Sequence, residues 1–465
     1  MRQAVSTDPE ASAPPGLRLG LRANWRQFAL LMAVNGFVGA MVGQERAILP
    51  LLATETFGIP EEAAILSFLV AFGLTKAGAN LVAGRLSDRC GRKPILVVGW
   101  LIGLPVPLLL IAAPSWDWIV FANALLGINQ GLCWSATVIM KIDLAGPARR
   151  GLAMGLNEEV GYLAVSLASI ATGFLASAYA LRPVPFYPGL AFAAIGLALS
   201  LLFVRETHDH ARLESRLALP GSGHAPPGTR RAPAPSFRWV FARASWRDRN
   251  LAACAQAGLV NNLNDGVSWG VLPLFFAAGG LGPDAIGILA GAYTFVWGGS
   301  QIRVGAWTDT HGRKPFLVGG MILQAAALLL FASTQGFWPW LAASVLIGFG
   351  TTMVYPTLLA AVSDASHPSW RASAVGVYRL WRDLGYAAGA VFAGFVAAAA
   401  GLQTAIAATG VVTLASGLVA LALFRETVIE PAPRVRIPWS QGWALAMEAI
   451  TALRSERKER KRPGG

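Results

Sequence analysis

Gly84-Arg85-Leu86-Ser87-Asp88-Arg89-Cys90-Gly91-Arg92-Lys93-Pro94: this stretch decides the fold, because the chain contains its pattern twice. The second copy reads Gly305-Ala306-Trp307-Thr308-Asp309-Thr310-His311-Gly312-Arg313-Lys314-Pro315. Each copy is a short, charged turn between two long apolar segments. One such turn would be an ordinary basic loop marked by Gly and Pro. Two similar turns in similar surroundings indicate that one membrane unit has been duplicated.

The composition is that of a chain surrounded mostly by lipid. Of its 465 residues, 54% are hydrophobic and only 14% are charged, whereas about a quarter of the residues of a soluble protein are charged. The net charge of +13 would suggest nucleic acid in a soluble protein, but here membrane lipid is the expected partner and nucleic acid is not. The cysteines Cys90, Cys133 and Cys254 are too scattered for a disulfide framework or a metal site. We therefore expect no metal and no cofactor.

Apolar runs follow one another from Trp25 to Phe424, each of roughly the 20 residues that a helix needs to cross the hydrocarbon. They predict an all-α integral membrane protein with twelve transmembrane helices. The predicted segments are 26–53, 61–83, 94–113, 118–142, 151–178, 187–204, 248–277, 284–304, 315–334, 338–362, 372–399 and 402–424.

The two halves match beyond the opening motif. Asp143 corresponds to Asp364 at the offset of the motif, and Arg205-Glu206-Thr207 recurs as Arg425-Glu426-Thr427. An even number of segments separates the copies, so the two six-helix halves run parallel, related by an axis along the membrane normal.

Domain boundaries follow from the segments and from composition. We expect a cytoplasmic tail at 1–25, the first half at 26–204, a Pro/Gly-rich and basic cytoplasmic linker at 205–247, the second half at 248–424 and a cytoplasmic tail at 425–465. A short helix near Arg238 to Trp246 is expected at the membrane surface. From Trp439 the last tail reads either as an amphipathic interfacial helix or as a solvated charged tail.

Basic residues collect in the turns on one side of the predicted segments. By the excess of Lys and Arg in cytoplasmic loops, this side is cytoplasmic. We expect a multi-pass protein of the inner membrane with both termini in the cytoplasm.

With its twelve helices in parallel halves, and G-x-x-x-D-x-x-G-R-K between segments 2 and 3 and again between 8 and 9, the chain resembles the major facilitator superfamily over residues 26–424. The resemblance implies segments 1, 4, 7 and 10 around a central cavity, and alternating access by rocking of the halves. It also implies that Asp88 helps to lock the cytoplasmic side when the cavity faces outward. The implied gating residues are Gly84, Asp88, Arg89, Gly91, Arg92, Lys93, Gly305, Asp309, Gly312, Arg313 and Lys314.

Two departures weaken the reading as a drug/proton antiporter of that family without affecting the fold. Segment 4 reads Asn123-Ala124-Leu125-Leu126-Gly127, without the Arg of the R-x-L-x-G pattern. Segment 5 lacks the expected Gly-Pro signature.

Ionisable residues deep in a membrane helix cost about 2.5–3.5 kcal/mol on insertion scales and mark functional sites by default. Glu158 begins a polar stripe that continues through Tyr162, Ser166 and Ser169 at helical spacing. Glu158 or Asp265 is therefore the candidate for proton coupling.

Arg379 is the counterpart of Glu158 in the second half. It could instead neutralise Asp383 one turn away, which would leave Arg382 the freer cation. Further polar residues lie on segments expected to face water or neighbouring helices. The candidates for the substrate cavity are Asn35, Gln130, Trp134, Asn261, Asn264, Tyr378 and Arg382, some of which would instead join helices.

These observations predict a secondary active transporter of a small organic solute, a monomer that exports its substrate in exchange for protons. The absence of a Walker A sequence excludes that kind of ATP site. The alternative is uptake of an anionic metabolite by proton symport, with Lys76, Arg379 or Arg382 holding the anion. A membrane enzyme or a non-transporting membrane sensor is the alternative from another class. The sequence offers neither a nucleophile–base pair for an enzyme nor an output domain for a sensor.

Overall fold

A computed structural model describes residues 19–60, 62–145, 150–217, 236–366 and 370–427, and these residues are helical with no β-strand. The proposed helix from Trp439 onward lies outside them. Twelve long helices, here α1 to α12, cross the membrane in two sets of six.

The first half consists of α1 to α6. Its helices are α1 (Trp25–Arg46, continued by Leu49–Glu55), α2 (Ser67–Cys90), α3 (Arg92–Gly103, continued by Val106–Ala112), α4 (Trp116–Ala145), α5 (Arg150–Ala178) and α6 (Tyr187–Leu202). The interruptions in α1 and α3 lie next to Pro50 and Pro105, since proline lacks the N–H that an uninterrupted helix needs.

The second half repeats this arrangement. Its helices are α7 (Arg249–Ala278), α8 (Pro283–His311), α9 (Arg313–Ser333), α10 (Phe337–Asp364), α11 (Arg371–Ala400) and α12 (Leu402–Leu423). In the described residues, nine of the twelve spans are both long and strongly apolar. The other three, α2, α7 and α8, are more polar because they carry side chains that face the interior of the protein.

The two motif copies differ from the expected turns. Helix α2 continues through the motif to Cys90, and α8 continues to His311. Only Gly91 and Gly312 interrupt the helices, with φ of 90° and 91°. This left-handed conformation is open to glycine and strained for other residues. The motif is therefore a one-residue break between two helices, because its other residues tolerate helical geometry.

The halves contact each other along α5 with α8 and along α2 with α11. At the membrane face opposite the motif, called here the far side, α5 and α8 approach through glycines. A methyl group on Gly173 would lie 2.5 Å from the Pro283 carbonyl oxygen and 2.9 Å from the Gly287 Cα. Such close backbone contact is typical of membrane helix interfaces rich in small residues. The far side is therefore closed.

The linker contains more helix than we expected. His208–Leu217 forms a helix that the sequence did not predict. The short helix expected near Arg238 is present as Phe237–Ala242, followed by a π-helical turn at Arg243–Arg247. Trp239 in this helix and Trp246 in the turn are exposed, an aromatic pattern suited to the membrane–water interface.

Candidate functional site between the two halves

A small cavity of about 20 Å³ lies between the two halves, at the level of the buried charges. That volume has room for about one water molecule, so the cavity is nearly filled by its own side chains. Its lining residues are Lys76, Asn80, Gln130, Trp134, Ser135, Tyr162, Tyr355, Arg379 and Arg382.

Glu158 of α5 lies beside this cavity and is only 9% exposed. The Trp134 indole N–H donates to its Oε1 at 2.8 Å, and the Asn157 amide donates to the same oxygen at 3.1 Å. From the second half, the Tyr355 hydroxyl donates to Oε2 at 3.2 Å. The carboxyl group of Glu158 is thus bonded to both halves at once.

The chain of hydrogen bonds continues through the second half and returns to the first. Arg382 donates to the Tyr355 oxygen at 2.7 Å and to Asp383 Oδ1 at 2.6 Å. Asn80 of α2 donates to Asp383 Oδ2 at 2.5 Å and accepts a bond from Ser135 at 2.7 Å. Because Ser135 follows Trp134 in the chain, the bonds form a closed circuit, called here the interhalf ring.

The interhalf ring crosses the boundary between the halves twice, at Tyr355–Glu158 and at Asn80–Asp383. Hydrogen bonds in a buried network polarise one another, and a partly satisfied network is costly. A proton added at Glu158 would therefore change contacts that hold the halves together.

Arg46 of α1 lies between the interhalf ring and the far side, and only 1% of it is exposed. Its guanidinium carbon lies 4.4 Å from the Phe72 ring centroid and 4.6 Å from that of Trp269, in the second half. None of its side-chain nitrogens bonds to another described residue. Trp269 also stacks on Tyr386 at 5.1 Å. This cation–π cluster adds to the closure of the far side.

Three of the seven residues predicted for the substrate cavity line it, namely Gln130, Trp134 and Arg382. The other four are placed elsewhere and join helices within one half. Asn35 bonds to Asn157 and Thr137 in the first half. Asn261 and Asn264 bond to Gln324, and Tyr378 packs against Gly258. Helical spacing alone did not distinguish a side chain facing the cavity from one facing a neighbouring helix.

The structure does not contain the alternative pairing of Arg379 with Asp383 on α11. Arg382 instead forms the ion pair with Asp383 at 2.6 Å, and is not the freer cation. Arg379 has a buried Nε without a hydrogen-bond partner among the described residues. The i, i+4 rule predicts neighbours on an isolated helix, but Arg382 also has Tyr355 of α10 as an acceptor.

Asp265, the other candidate for proton coupling, is fully buried in α7 and accepts a hydrogen bond from the Tyr293 hydroxyl of α8. This bond lies within the second half. Asp265 is not among the residues that line the central cavity.

Sequence reasoning missed several residues. Tyr355 links the halves, yet a single Tyr in an apolar segment gave no signal. Lys141 is fully buried in α4 near Glu158, and its depth in the segment could have identified it by the rule applied to Glu158.

The motif residues form the same set of hydrogen bonds and ion pairs in both halves, called here the clasp: a motif Arg and Lys bound to a Glu after the sixth helix and to an Asp at the end of the fourth. In the first half, the Arg92 and Lys93 backbone N–H groups each donate to the Glu206 carboxylate at 3.0 Å. Arg92 also pairs with Asp143 at 3.1 Å. Thr207 donates to that same Asp143 oxygen at 2.8 Å. The clasp ties the beginning of α3 to the ends of α4 and α6.

In the second half, Glu426 accepts from the backbone N–H groups of Arg313 and Lys314 at 2.8 and 3.0 Å. Arg313 pairs with Asp364 at 3.3 Å and with Asp309 at 2.6 Å. These bonds lie within one half, so in this structure the motif arginines tie helix ends together inside each half. The side chains of the corresponding Asp88 and of Arg89 lie outside the described residues.

The clasp sets the acidity of Glu206. Burial by itself would raise the pKa of this carboxyl, but backbone N–H groups of Arg92, Lys93, Thr207 and His208 outweigh it and lower the pKa below its usual range. A lowered carboxyl pKa stabilises the fold above the unfolded pKa, and this contribution is lost as the pH falls through the folded pKa. Glu206 therefore stays ionised at neutral pH, and the bonds that it accepts loosen only in acid.

Replacing Gly312 with Ala should destabilise the protein by about 1–3 kcal/mol, the cost of a side chain in a strained backbone conformation. The new methyl group would also lie 2.5 Å from Glu426 Oε2. Gly305 of the same motif is helical with no neighbouring atom within 4 Å, so Gly305→Ala should be neutral or stabilising by up to about 1 kcal/mol. Unfolding of both variants in detergent tests this difference, and equal stabilities would contradict it.

The fold and cavity together define a transporter: two parallel six-helix halves enclosing a polar site at mid-membrane. Comparison with known proteins identifies the family. The family model described as the Major Facilitator Superfamily matches residues 28–256 and again 254–458. The chain belongs to this superfamily. It is a secondary transporter of the membrane and not an enzyme.

Curated relatives agree with this assignment. The chain is 26% identical over 323 residues to the inner membrane transport protein YnfM of Escherichia coli, covering 68% of this chain and 71% of that protein. It is 30% identical over 155 residues to the multidrug resistance protein MdtL of Shewanella oneidensis, covering 33% of this chain and 39% of that protein. The chain thus spans less than half of the MdtL relative.

Solved structures share the fold. The nucleoside transporter NupG aligns with a TM-score of 0.66 at 13% identity, over 86% of this chain and 100% of that one. The human organic anion transporter MFSD10 aligns with a TM-score of 0.61 at 17% identity, over 88% of this chain and 100% of that one. At these identities the likeness concerns the fold alone.

Proposed function

We propose that this chain is a proton-coupled secondary transporter of a small organic solute, with Glu158 as the group that binds the proton. The observation that carries the proposal is the bond of the buried Glu158 carboxyl to Tyr355 across the interface. A protonated carboxyl has one oxygen that donates and fewer lone pairs that accept. Protonation therefore alters the Trp134, Asn157 and Tyr355 bonds together, and with them the contact between halves.

The same proposal assigns each face of the protein to one side of the membrane. The motif side is cytoplasmic, with both termini inside, because the basic turns cluster there. In the present structure, closed at the far side, the cavity is then cut off from the outside. Proton binding on one side and release on the other, with rocking between them, would move the solute through the central cavity. Since one chain supplies both halves of that cavity, a monomer suffices.

Two observations concern the direction in which the solute is transported. The names of the MdtL and MdtG relatives, both multidrug resistance proteins, support export of the solute in exchange for protons. Against this, those matches cover less than half of either relative, and the cavity is lined by Lys76, Arg379 and Arg382. A positively charged cavity supports the second candidate, uptake of an anion by proton symport.

Transport into vesicles of known orientation tests the proposal. Reconstituted protein should carry solutes from a mixed panel of cations, anions and neutral compounds in response to an imposed pH gradient, and a protonophore should abolish the accumulation. The sign of the gradient that drives accumulation decides between exchange and symport. Accumulation that survives the protonophore at full rate would contradict proton coupling.

A further inference from the structure

We propose that the central cavity binds the anionic group of an organic solute, a carboxylate or phosphate, between Lys76 and Arg379, and that the anion binds together with the proton. This inference rests on the proposed function. It names the class of substrate for the same cavity and the sign of its coupling to Glu158.

The cavity carries cations that the protein leaves without acceptors. Arg379 makes no hydrogen bond to a described residue, and its Nε is buried without a partner. The Lys76 ammonium faces the rings of Tyr386 at 4.8 Å and Phe72 at 5.4 Å, again without a hydrogen bond to the described part of the chain. A buried N–H group without an acceptor costs about 1–3 kcal/mol, more when it is charged. Such groups are satisfied by a ligand that supplies oxygens.

The neighbouring carboxylates are already occupied. Asp383 gives one oxygen to Arg382 and the other to Asn80. Glu158 accepts from Trp134, Asn157 and Tyr355. Arg382 is paired with Asp383. The charges of Asp383 and Asp265 also act on Lys76, but no direct ion pair joins Lys76 or Arg379 to an acid in the described part of the chain. An entering carboxylate or phosphate would find its counter-charges unpaired.

The side chains that line the cavity suit an organic anion rather than an inorganic one, once the halves move apart to make room for it. Beside the cations, its lining includes the rings of Trp134, Tyr162 and Tyr355. Tyr162 packs against Trp134 at 5.4 Å between ring centroids. Ligand sites combine apolar and aromatic walls with few charged groups that fix orientation. An aromatic wall beside two cations fits a small organic molecule that has an apolar or aromatic part and one anionic group.

The proton and the anion should bind cooperatively. Ionised Glu158 beside the cavity repels an anion, and protonation removes that repulsion. By linkage, an anion that binds better to the protonated protein also favours proton binding by the same factor. The cationic groups around Glu158 are Lys141 on α4, Arg379 and Arg382 on α11, and Arg303 of α8 near the adjacent Glu159. The other titratable groups are Tyr162 and Glu159 on its own helix, Tyr355 on α10, Asp383 on α11 and Asp265 on α7. Asp383 is already paired with Arg382, so the cations Lys141 and Arg379 add to the attraction of an anion.

Calorimetry on the full-length protein in detergent tests the site with benzoate, phenyl phosphate and the neutral isostere benzamide. At least one of the two anions should bind, and benzamide should bind at least about tenfold more weakly, the loss expected for one hydrogen-bonded charge. Arg379→Gln and Lys76→Met should each weaken anion binding by about tenfold or more. Arg379→Lys should keep most of it, and Arg247→Gln, an exposed cation outside the cavity, should change nothing. Thermal unfolding confirms that each variant is folded.

The outcomes separate this proposal from the proposed function. Equal binding of the three probes, or anion binding unaffected by Arg379→Gln and Lys76→Met, would overturn the anion site whatever Glu158 does. Wild-type anion binding should strengthen as the pH falls, and should become independent of pH in Glu158→Gln. Binding that needs both cations yet strengthens in acid equally with and without Glu158 would retain the anion site, but overturn Glu158 as the coupled proton site.

Discussion

Replacing Glu158 with Gln is expected to abolish solute accumulation driven by a pH gradient while leaving exchange of solute down its own gradient intact. Gln keeps the size and an acceptor oxygen for Trp134 or Tyr355, but it cannot bind the transported proton. One pH unit is worth about 1.4 kcal/mol, or about tenfold accumulation for an electroneutral step with one proton per solute. The wild type should approach this ratio in vesicles, and the variant should stay near one.

The control is Glu159→Gln, one residue along the same helix. Glu159 faces Arg303 of α8 rather than the interhalf ring, so its loss should leave pH-driven accumulation close to the wild-type ratio. If Glu158→Gln lost solute binding while its residual transport remained coupled to pH, Glu158 would be a ligand for the solute. The proton would then have to be assigned to another acid, such as Asp265.

The largest effect on stability is expected for Asp383→Asn. This change leaves Arg382 buried, 7% exposed, without its counter-ion. Removing one partner of a buried ion pair costs about 3–5 kcal/mol, because the remaining charge is uncompensated. Unfolding by denaturant in detergent should show this loss. Asp117→Asn, an exposed acid at the beginning of α4, provides the matched control and should unfold like the wild type.

The double variant Arg382→Met with Asp383→Leu separates stability from function. Apolar replacement of both partners of a buried ion pair is often neutral or stabilising, so the double variant should recover most of the lost stability. It should not recover transport, since the interhalf ring would still lack two members. A single Asp383→Asn variant as stable as Asp117→Asn would show that Arg382 does not depend on this ion pair.

The fold could be predicted from the sequence because the membrane restricts the options so strongly. Apolar length specified the twelve spans, and the duplicated motif specified their parallel arrangement. The recurrence of Asp143 as Asp364 and of Glu206 as Glu426 also had a structural cause, since these residues occupy equivalent places in the two clasps. What the motif did not reveal was its own conformation. Whether residues such as Ser87 or Asp309 continue a helix depends on tertiary contacts that local turn signals do not contain.

The candidate site was less predictable, for a physical reason. Depth in the membrane identified Glu158, Arg379 and Arg382 as important, because burying a charge is costly in any fold. The choice of partner depends on rotations of a few tens of degrees between packed helices. Asn261 therefore bonds to Gln324 instead of facing the cavity, and Arg382 rather than Arg379 takes Asp383. Tyr355 could be recognised only once the two halves were placed against each other and its hydroxyl reached Glu158.

The central claim is that protonation of Glu158 shifts the balance between two arrangements of the halves. The distance between spin labels at Tyr179 and Trp338, which are 70% and 75% exposed at the far side, reports how far the halves are apart on that side. The distance between labels at Phe203 and Trp307, which are 59% and 48% exposed, reports the same for the motif side. In both labelled proteins Cys90, Cys133 and Cys254 are replaced. On acidification the two distances should change in opposite directions in otherwise wild-type protein and remain fixed in Glu158→Gln. Distances that change in the same direction, or that respond equally with and without Glu158, would contradict the account.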